Sequence, residues 1–146
     1  MLNEKLKNYT IILASGSPRR QQFFKELGIY VDIRLKPVKE EYPQRLSHFE
    51  ISDYLAQLKA LPFQNELKDN DILITSDTIV WHNNKALGKP KDSAEAFQMI
   101  KSLSNATHEV ITSVCFTSKT FQKTFQKEHF KNNKTKNICL CVFTEL

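Results

Sequence analysis

The run Thr10-Ile11-Ile12-Leu13-Ala14 is continuous, apolar and partly β-branched, and it breaks at once into Ser15-Gly16-Ser17-Pro18. No other junction constrains the fold as much. A short run of this kind reads as a buried strand. Ser17 is a good N-cap, and Pro18 suits the first helical position, where its missing N–H costs nothing. The helix predicted there carries Phe23, Phe24 and Leu27 and stops at Gly28 as its C′ residue. A buried strand feeding directly into a helix is how an α/β unit begins.

The same alternation continues along the chain. Tyr30–Leu35 alternates and predicts a second strand that ends near Pro37. Ser47-His48-Phe49-Glu50 has capping-box spacing, and Ile51, Leu55 and Leu58 follow at helical intervals. Asp71–Ser76 predicts a further apolar strand, with Thr78–Trp81 as its extension. Asp92 and Glu95 start a third helix with an apolar stripe of Ala96, Met99, Ile100 and Leu103. Val110–Thr117 is strand-like again. After residue 118 the period is lost among Lys, Gln, Thr and Asn, until Ile138–Phe143 offers a terminal strand.

Length and composition exclude several classes. The 146 residues suit one domain, and ten Phe, four Tyr and one Trp can furnish its core. No run approaches the ~18 apolar residues of a membrane span, and the first residues show no signal-type cleavage site, so the reading is a soluble, cytoplasmic protein. Cys115, Cys139 and Cys141 form neither a C-x-x-C pair nor a zinc array and read as free thiols. Residues 119–146 hold six Lys against Glu128 and Glu145, a net +4, which leaves +1 for residues 1–118. The basic balance therefore belongs to the tail, and a near-neutral body argues against specific nucleic-acid binding.

Two stretches carry candidate chemistry. Ser15 to Arg20 places small residues and two adjacent Arg at a helix start, where backbone N–H groups and guanidinium groups favour phosphate. A capped helix start with surface arginines is an equally good account. Asp77, read as the end of an apolar strand, is where α/β sheets present ligands, and it can hold Mg²⁺ or help activate water. A cap for the following turn is the alternative. Lys89, Lys59, Glu40 and Glu41 each read, taken alone, as solvated side chains.

In order and spacing, ASGSPRR (14–20), Glu40, LKA (58–60), SDTIV (76–80), GKP (88–90), Ala94 to Leu103 and HEVIT (108–112) resemble the Maf family of nucleoside triphosphate pyrophosphatases. The resemblance implies an ITPase-like α/β fold with an elongated mixed sheet flanked by helices and a cleft between two lobes. It implies hydrolysis of a nucleoside triphosphate to monophosphate and pyrophosphate with Mg²⁺ or Mn²⁺, the removal of non-standard or surplus nucleotides, and a family link to cell-division arrest. Asp77 takes the role of proton acceptor and, with Glu40, of metal partner, with Glu41 as substitute for Glu40. Ser15, Arg19, Arg20, Lys59 and Lys89 fall on phosphate-binding positions. Arg19 and Thr78 fall on substrate-specificity positions and point to the dTTP/UTP type. A homodimer is a further implication.

The family carries a later D-K-A-G-A-Y-G-I-Q block that nothing here matches. The expectation is a Maf-like domain over 1–118, lacking part of its C-terminal lobe, followed by an atypical basic segment over 119–146. A truncated or frame-shifted end near Phe121–Phe130 would account for it, and a genomic read with the block in another frame would support that origin. A catalytically inactive nucleotide-binding remnant is the alternative to an active enzyme.

Overall fold

The computed structural model describes residues 2–132, with side chains over 4–130. In chain order the elements are α1 (Leu2–Leu6), β1 (Thr10–Leu13), α2 (Pro18–Glu26), β2 (Asp32–Ile33), α3 (Phe49–Leu58), a 3-10 helix (Leu61–Glu66), β3 (Asp71–His82), β4 (Lys85–Leu87), α4 (Ser93–Leu103), β5 (Thr107–Thr117) and β6 (Gln122–Asn132). The strands form one mixed sheet in the order β2-β1-β3-β5-β6, with β4 also on β3. The expected α/β class with a mixed sheet flanked by helices is what the chain adopts. No helix among the described residues is long and apolar enough to cross a membrane.

Residue alternation along β3 sorts the core onto two faces. Leu73 packs with Ile12, Ala60, Phe63 and Leu67, and Ile79 packs with Ile51, Leu55 and Ile111, so the odd positions of β3 face α3 and the 3-10 helix. On the other face Ile74 packs with Ile11, Leu13 and Phe24, while Val80 meets Leu103 and Val110. The α2 helix closes as expected. Gly28 has φ 67°, and its N–H donates to Lys25 O while Ile29 N–H donates to Phe24 O. This is the two-bond C-terminal cap that a left-handed residue permits.

Several expectations shift in detail. The second strand shrinks from Tyr30–Leu35 to Asp32–Ile33, because β1, its partner among the described residues, ends at Leu13 and the chain leaves the sheet there. The capping box at Ser47 is half made. Glu50 accepts the Ser47 backbone N–H at 3.0 Å, but the N-cap position belongs to His48, whose φ is 53°. In the α4 stripe only Leu103 is buried. The 3-10 helix, α1 and β4 had no signal strong enough to predict them.

The sheet continues across residue 118. β6 pairs antiparallel with β5 from Thr107↔Asn132 to Thr117↔Gln122. Ser118 Oγ closes the turn by accepting the N–H groups of Thr120 and Phe121. The apolar period is missing there because β6, the last strand of the sheet among the described residues, carries Lys123, Lys127 and His129 beside Phe125 on one face, and Gln126 and Glu128 beside Phe130 on the other. Cys115 is buried and unpaired. Cys139, Cys141 and Ile138–Phe143 lie outside the described residues.

Candidate active site

The site forms where the sheet opens. β1 pairs with β3 over Asp71–Ile74, and β4 pairs with it over Val80–His82. Both lie on one edge of β3, since β5 occupies the other from Leu73 to Trp81. Between them, among the described residues, positions 75–79 of β3 have no neighbouring strand on that edge. The chain after Ala14 turns away through Ser15 and Gly16 into α2, and α2 sends Arg20 back into the opening. Its Nη1 donates to Ser76 O at 3.1 Å and its Nη2 to Thr78 Oγ1 at 3.1 Å. Arg20 thus occupies a place that a strand would otherwise fill.

Asp77 lies in the middle of β3, opposite Ser113, and not at a strand end as the sequence suggested. The strand does not stop at Asp77 because β5 continues to pair with it up to Trp81. Nor does Asp77 cap a turn. It is 6% exposed, and Lys59 Nζ donates to its Oδ1 at 2.6 Å. The same ammonium stands 3.1 Å from Glu40 Oε1. Burial raises the Asp77 pKa above the ordinary carboxylate value, and Lys59 opposes that by charge and hydrogen bond. Burial likewise lowers the Arg20 pKa, with Asp77 pulling it back up.

Lys59 owes its place to α3. It follows the helix as its C-cap, and Ile51 and Leu55 anchor that helix on Ile79 and Ile111. Polar contacts fix the same helix on either side of Asp77. Thr75 Oγ1 donates to Ala56 O at 2.6 Å, and Ser52 and Ser113 hydroxyls meet at 2.7 Å. Small buried residues, Ser52 and Ala56, let the helix approach the strands closely enough for these bonds.

A cleft of about 1290 Å³ opens beside this group. Ser15, Arg19, Arg20, Glu40, Lys59 and Thr78 all line it. Asp77 sits behind Lys59 instead of on the wall. Ser15 braces the loop: its Oγ accepts the Ser17 N–H at 3.2 Å, and its carbonyl accepts from Gln21 Nε2 at 3.0 Å. Lys89 is exposed beyond β4 and is not brought to the cleft. Glu41 pairs with Lys39 at the surface.

The sequence reading missed Lys36, Ser76 and Thr112, which also line the cleft. Lys36 donates to Pro62 O at 2.9 Å and sits over the Phe63 ring; nothing in its neighbourhood of the sequence marks it. Ser76 and Thr112 were within reach, since both stand inside the quoted motifs and the pairing of Thr78 with Thr112 follows once β3 and β5 are adjacent.

Glu40 and Asp77 supply two hard oxygen donors converging on a position already filled by an ammonium, and such a donor set suits Mg²⁺ or Mn²⁺. A separate group joins α3 to the β5–β6 hairpin. His48 Nε2 is 2.6 Å from Glu109, and its Nδ1 is 3.7 Å from Glu128. These three side chains offer ligand atoms within 4.8 Å of one another, away from the cleft. A different carboxylate thus faces each ring nitrogen.

Comparison with known proteins bears on the whole arrangement. The family model described as "Maf-like protein" matches residues 10–143. A Flavobacterium johnsoniae protein named dTTP/UTP pyrophosphatase is 68% identical over 120 residues, covering 82% of this chain and 62% of its own length. A Christiangramia forsetii protein of the same name is 63% identical over 123 residues, covering 84% of this chain and 63% of its own. The chain thus spans about three fifths of the length of these relatives. Among solved structures, the Staphylococcus aureus Ham1 protein superimposes with a TM-score of 0.57 at 14% identity, covering 84% of this chain and 71% of that one. At that identity the likeness concerns the fold.

Proposed function

Because the chain belongs to the Maf-like protein family, we propose that it is a nucleoside triphosphate pyrophosphatase acting on dTTP and UTP. Water attacks the α-phosphorus, the bond to the α–β bridging oxygen breaks, and monophosphate and pyrophosphate leave. The names of the relatives support the substrate class. The observation that carries the chemistry is the buried Asp77, linked through Lys59 to Glu40 at the opening where Arg20 enters.

Asp77 is the proton acceptor. Burial lifts its pKa from the ordinary carboxylate value, and a base works best when its pKa approaches the working pH. In the free chain Lys59 holds the proton-accepting oxygen. A triphosphate entering the cleft gives that ammonium a competing anion, so Lys59 turns to the phosphates and frees Asp77. Arg19, Arg20 and Ser15 hold the phosphate chain; preorganised cations at that point offset the charge that develops on the leaving group. Glu40 and Asp77 are the residues that would hold a divalent metal, Mg²⁺ or Mn²⁺. When bound, it would neutralise phosphate charge and make a nearby water more acidic. Arg19 and Thr78 contribute to substrate choice, Thr78 through the Arg20 and Thr112 contacts that fix its hydroxyl. Its substrates are free nucleotides, which places the work in the cytoplasm.

The test is pyrophosphate release from dTTP, UTP, CTP and GTP with Mg²⁺, using the purified chain and Asp77→Asn. Turnover of dTTP and UTP that disappears in the variant supports the reading. A folded wild-type chain with no turnover on any nucleotide overturns it.

A further inference from the structure

Ser76 stands within the open stretch of β3, one residue before Asp77. Among the described residues its hydroxyl is the buried side-chain oxygen without a hydrogen-bond partner, in a residue only 5% exposed. The hydroxyls around it are satisfied. Thr75 donates to Ala56 O, Thr78 accepts from Arg20 and meets Thr112, and Ser113 meets Ser52. A buried hydroxyl left unpaired carries the full desolvation cost of the group, and here it does so on the wall of the cleft.

The position of Ser76 indicates what its partner is. Alternation along β3 turns it to the α2 face, opposite to Asp77 and Lys59. Its neighbour across the sheet is Val114, and Ile74 and Thr78 flank it on the same face. Phe116 and Phe125, in edge-to-face contact at 6.0 Å, continue that wall. Asp77 turns to the opposite face, where Lys59 links it to Glu40, while Lys59 and Glu40 themselves line the same cleft. The Arg20 guanidinium, bound to Ser76 O and Thr78 Oγ1, offers a phosphate its place at the open edge of β3, and Val114, Phe116 and Phe125 make the rest of that wall apolar. A flat uncharged ring bearing carbonyl and N–H groups would find aromatic and aliphatic contact for its faces and one hydroxyl for its edge.

We propose that the Ser76 hydroxyl hydrogen-bonds the pyrimidine edge of the substrate, making Ser76 a base-recognition residue. The proposal rests on the pyrophosphatase reading above. It places the triphosphate across the opening beside Arg20 and the base on the α2 face.

Ser76→Ala separates this role from a structural one, because removing an unpaired hydroxyl leaves the fold no less stable. The variant is expected to melt no lower than wild type, to show a KM for dTTP and UTP raised about ten-fold, and to keep kcat within about two-fold. Inhibition by inorganic triphosphate, which has no base, should be unchanged. An unchanged KM overturns the proposal. So does an equal loss of triphosphate inhibition, which would place Ser76 on the phosphates, or a lower melting temperature with kcat reduced. Should wild type release no pyrophosphate, the functional reading fails by itself, and calorimetry with UMP decides Ser76 separately. A ten-fold weaker Ser76→Ala complex supports the contact; equal affinity, or no binding by wild type, overturns it.

Discussion

Asp77 illustrates what a single side chain takes from its surroundings. A carboxylate in the middle of a strand is taken out of water by the sheet and α3, and Lys59 compensates in part. Replacing Asp77 by Asn should reduce turnover by about 10²–10⁴-fold, measured as pyrophosphate release. The fold should survive, because Lys59 retains Glu40. The base works ionised, so the acid limb of the kcat/KM profile should lie above the ordinary carboxylate range. In Lys59→Met it should move higher still, as the largest opposing influence is gone. The same shift has a stability sign. The folded chain holds the Asp77 proton more tightly than the unfolded chain does. The penalty is therefore absent below the ordinary carboxylate pKa, grows as pH rises through the raised value, and is complete above it. The proposed site residues stand at positions quoted from the sequence: Ser15, Arg20, Glu40 and Lys59 line one cleft, with Asp77 behind Lys59. Lys36 left no local trace, and Lys89 stands apart because β4 and its turn carry it beyond the cleft.

β1, β3, β5 and α3 were legible because they are buried, and announce themselves by runs or stripes of apolar residues that the core covers. α2 and α4 were legible from their helix starts and apolar spacing, although α2 buries no residue and α4 only Leu103. β6 does not announce itself, since a strand dressed in Lys, Gln and Glu has no apolar period to read. The docking of α3 is equally hidden, because it depends on contacts between residues far apart in the chain. Thr75 is the clearest case. Its hydroxyl satisfies the Ala56 carbonyl in the last turn of α3, so Thr75→Val should cost about 1–3 kcal/mol by leaving that carbonyl buried and unpaired. Denaturant unfolding measures it, and a loss below a few tenths would mean α3 is held by its apolar face alone. At the end of α2, Gly28→Ala should cost about 1 kcal/mol, because the φ of 67° is unfavourable to any residue with a Cβ.

For the molecule as a whole, the described elements make one sheet with a gap, and the gap gives the cleft its place. The proposed metal partners Glu40 and Asp77 come from a loop and a strand that other contacts already hold. Chelation with EDTA should therefore abolish pyrophosphate release while leaving the melting temperature within a few degrees; a large drop would mean that the cation staples the fold. The pairing of β1 with β3 has one more consequence, in the order of assembly. Thr10 meets Asp71 across a long intervening segment, whereas β5 and β6 are joined by a short turn. Contacts between distant residues bear the larger loop-closure entropy and form late, while hairpins close early. The opening that admits Arg20 exists only after β1 has docked. Hydrogen exchange should find the amides of Thr10–Leu13 opening at lower free energy than those in the centre of β5. The chain would then acquire a site in its last folding step and lose it in its first unfolding step, with most of the sheet still intact.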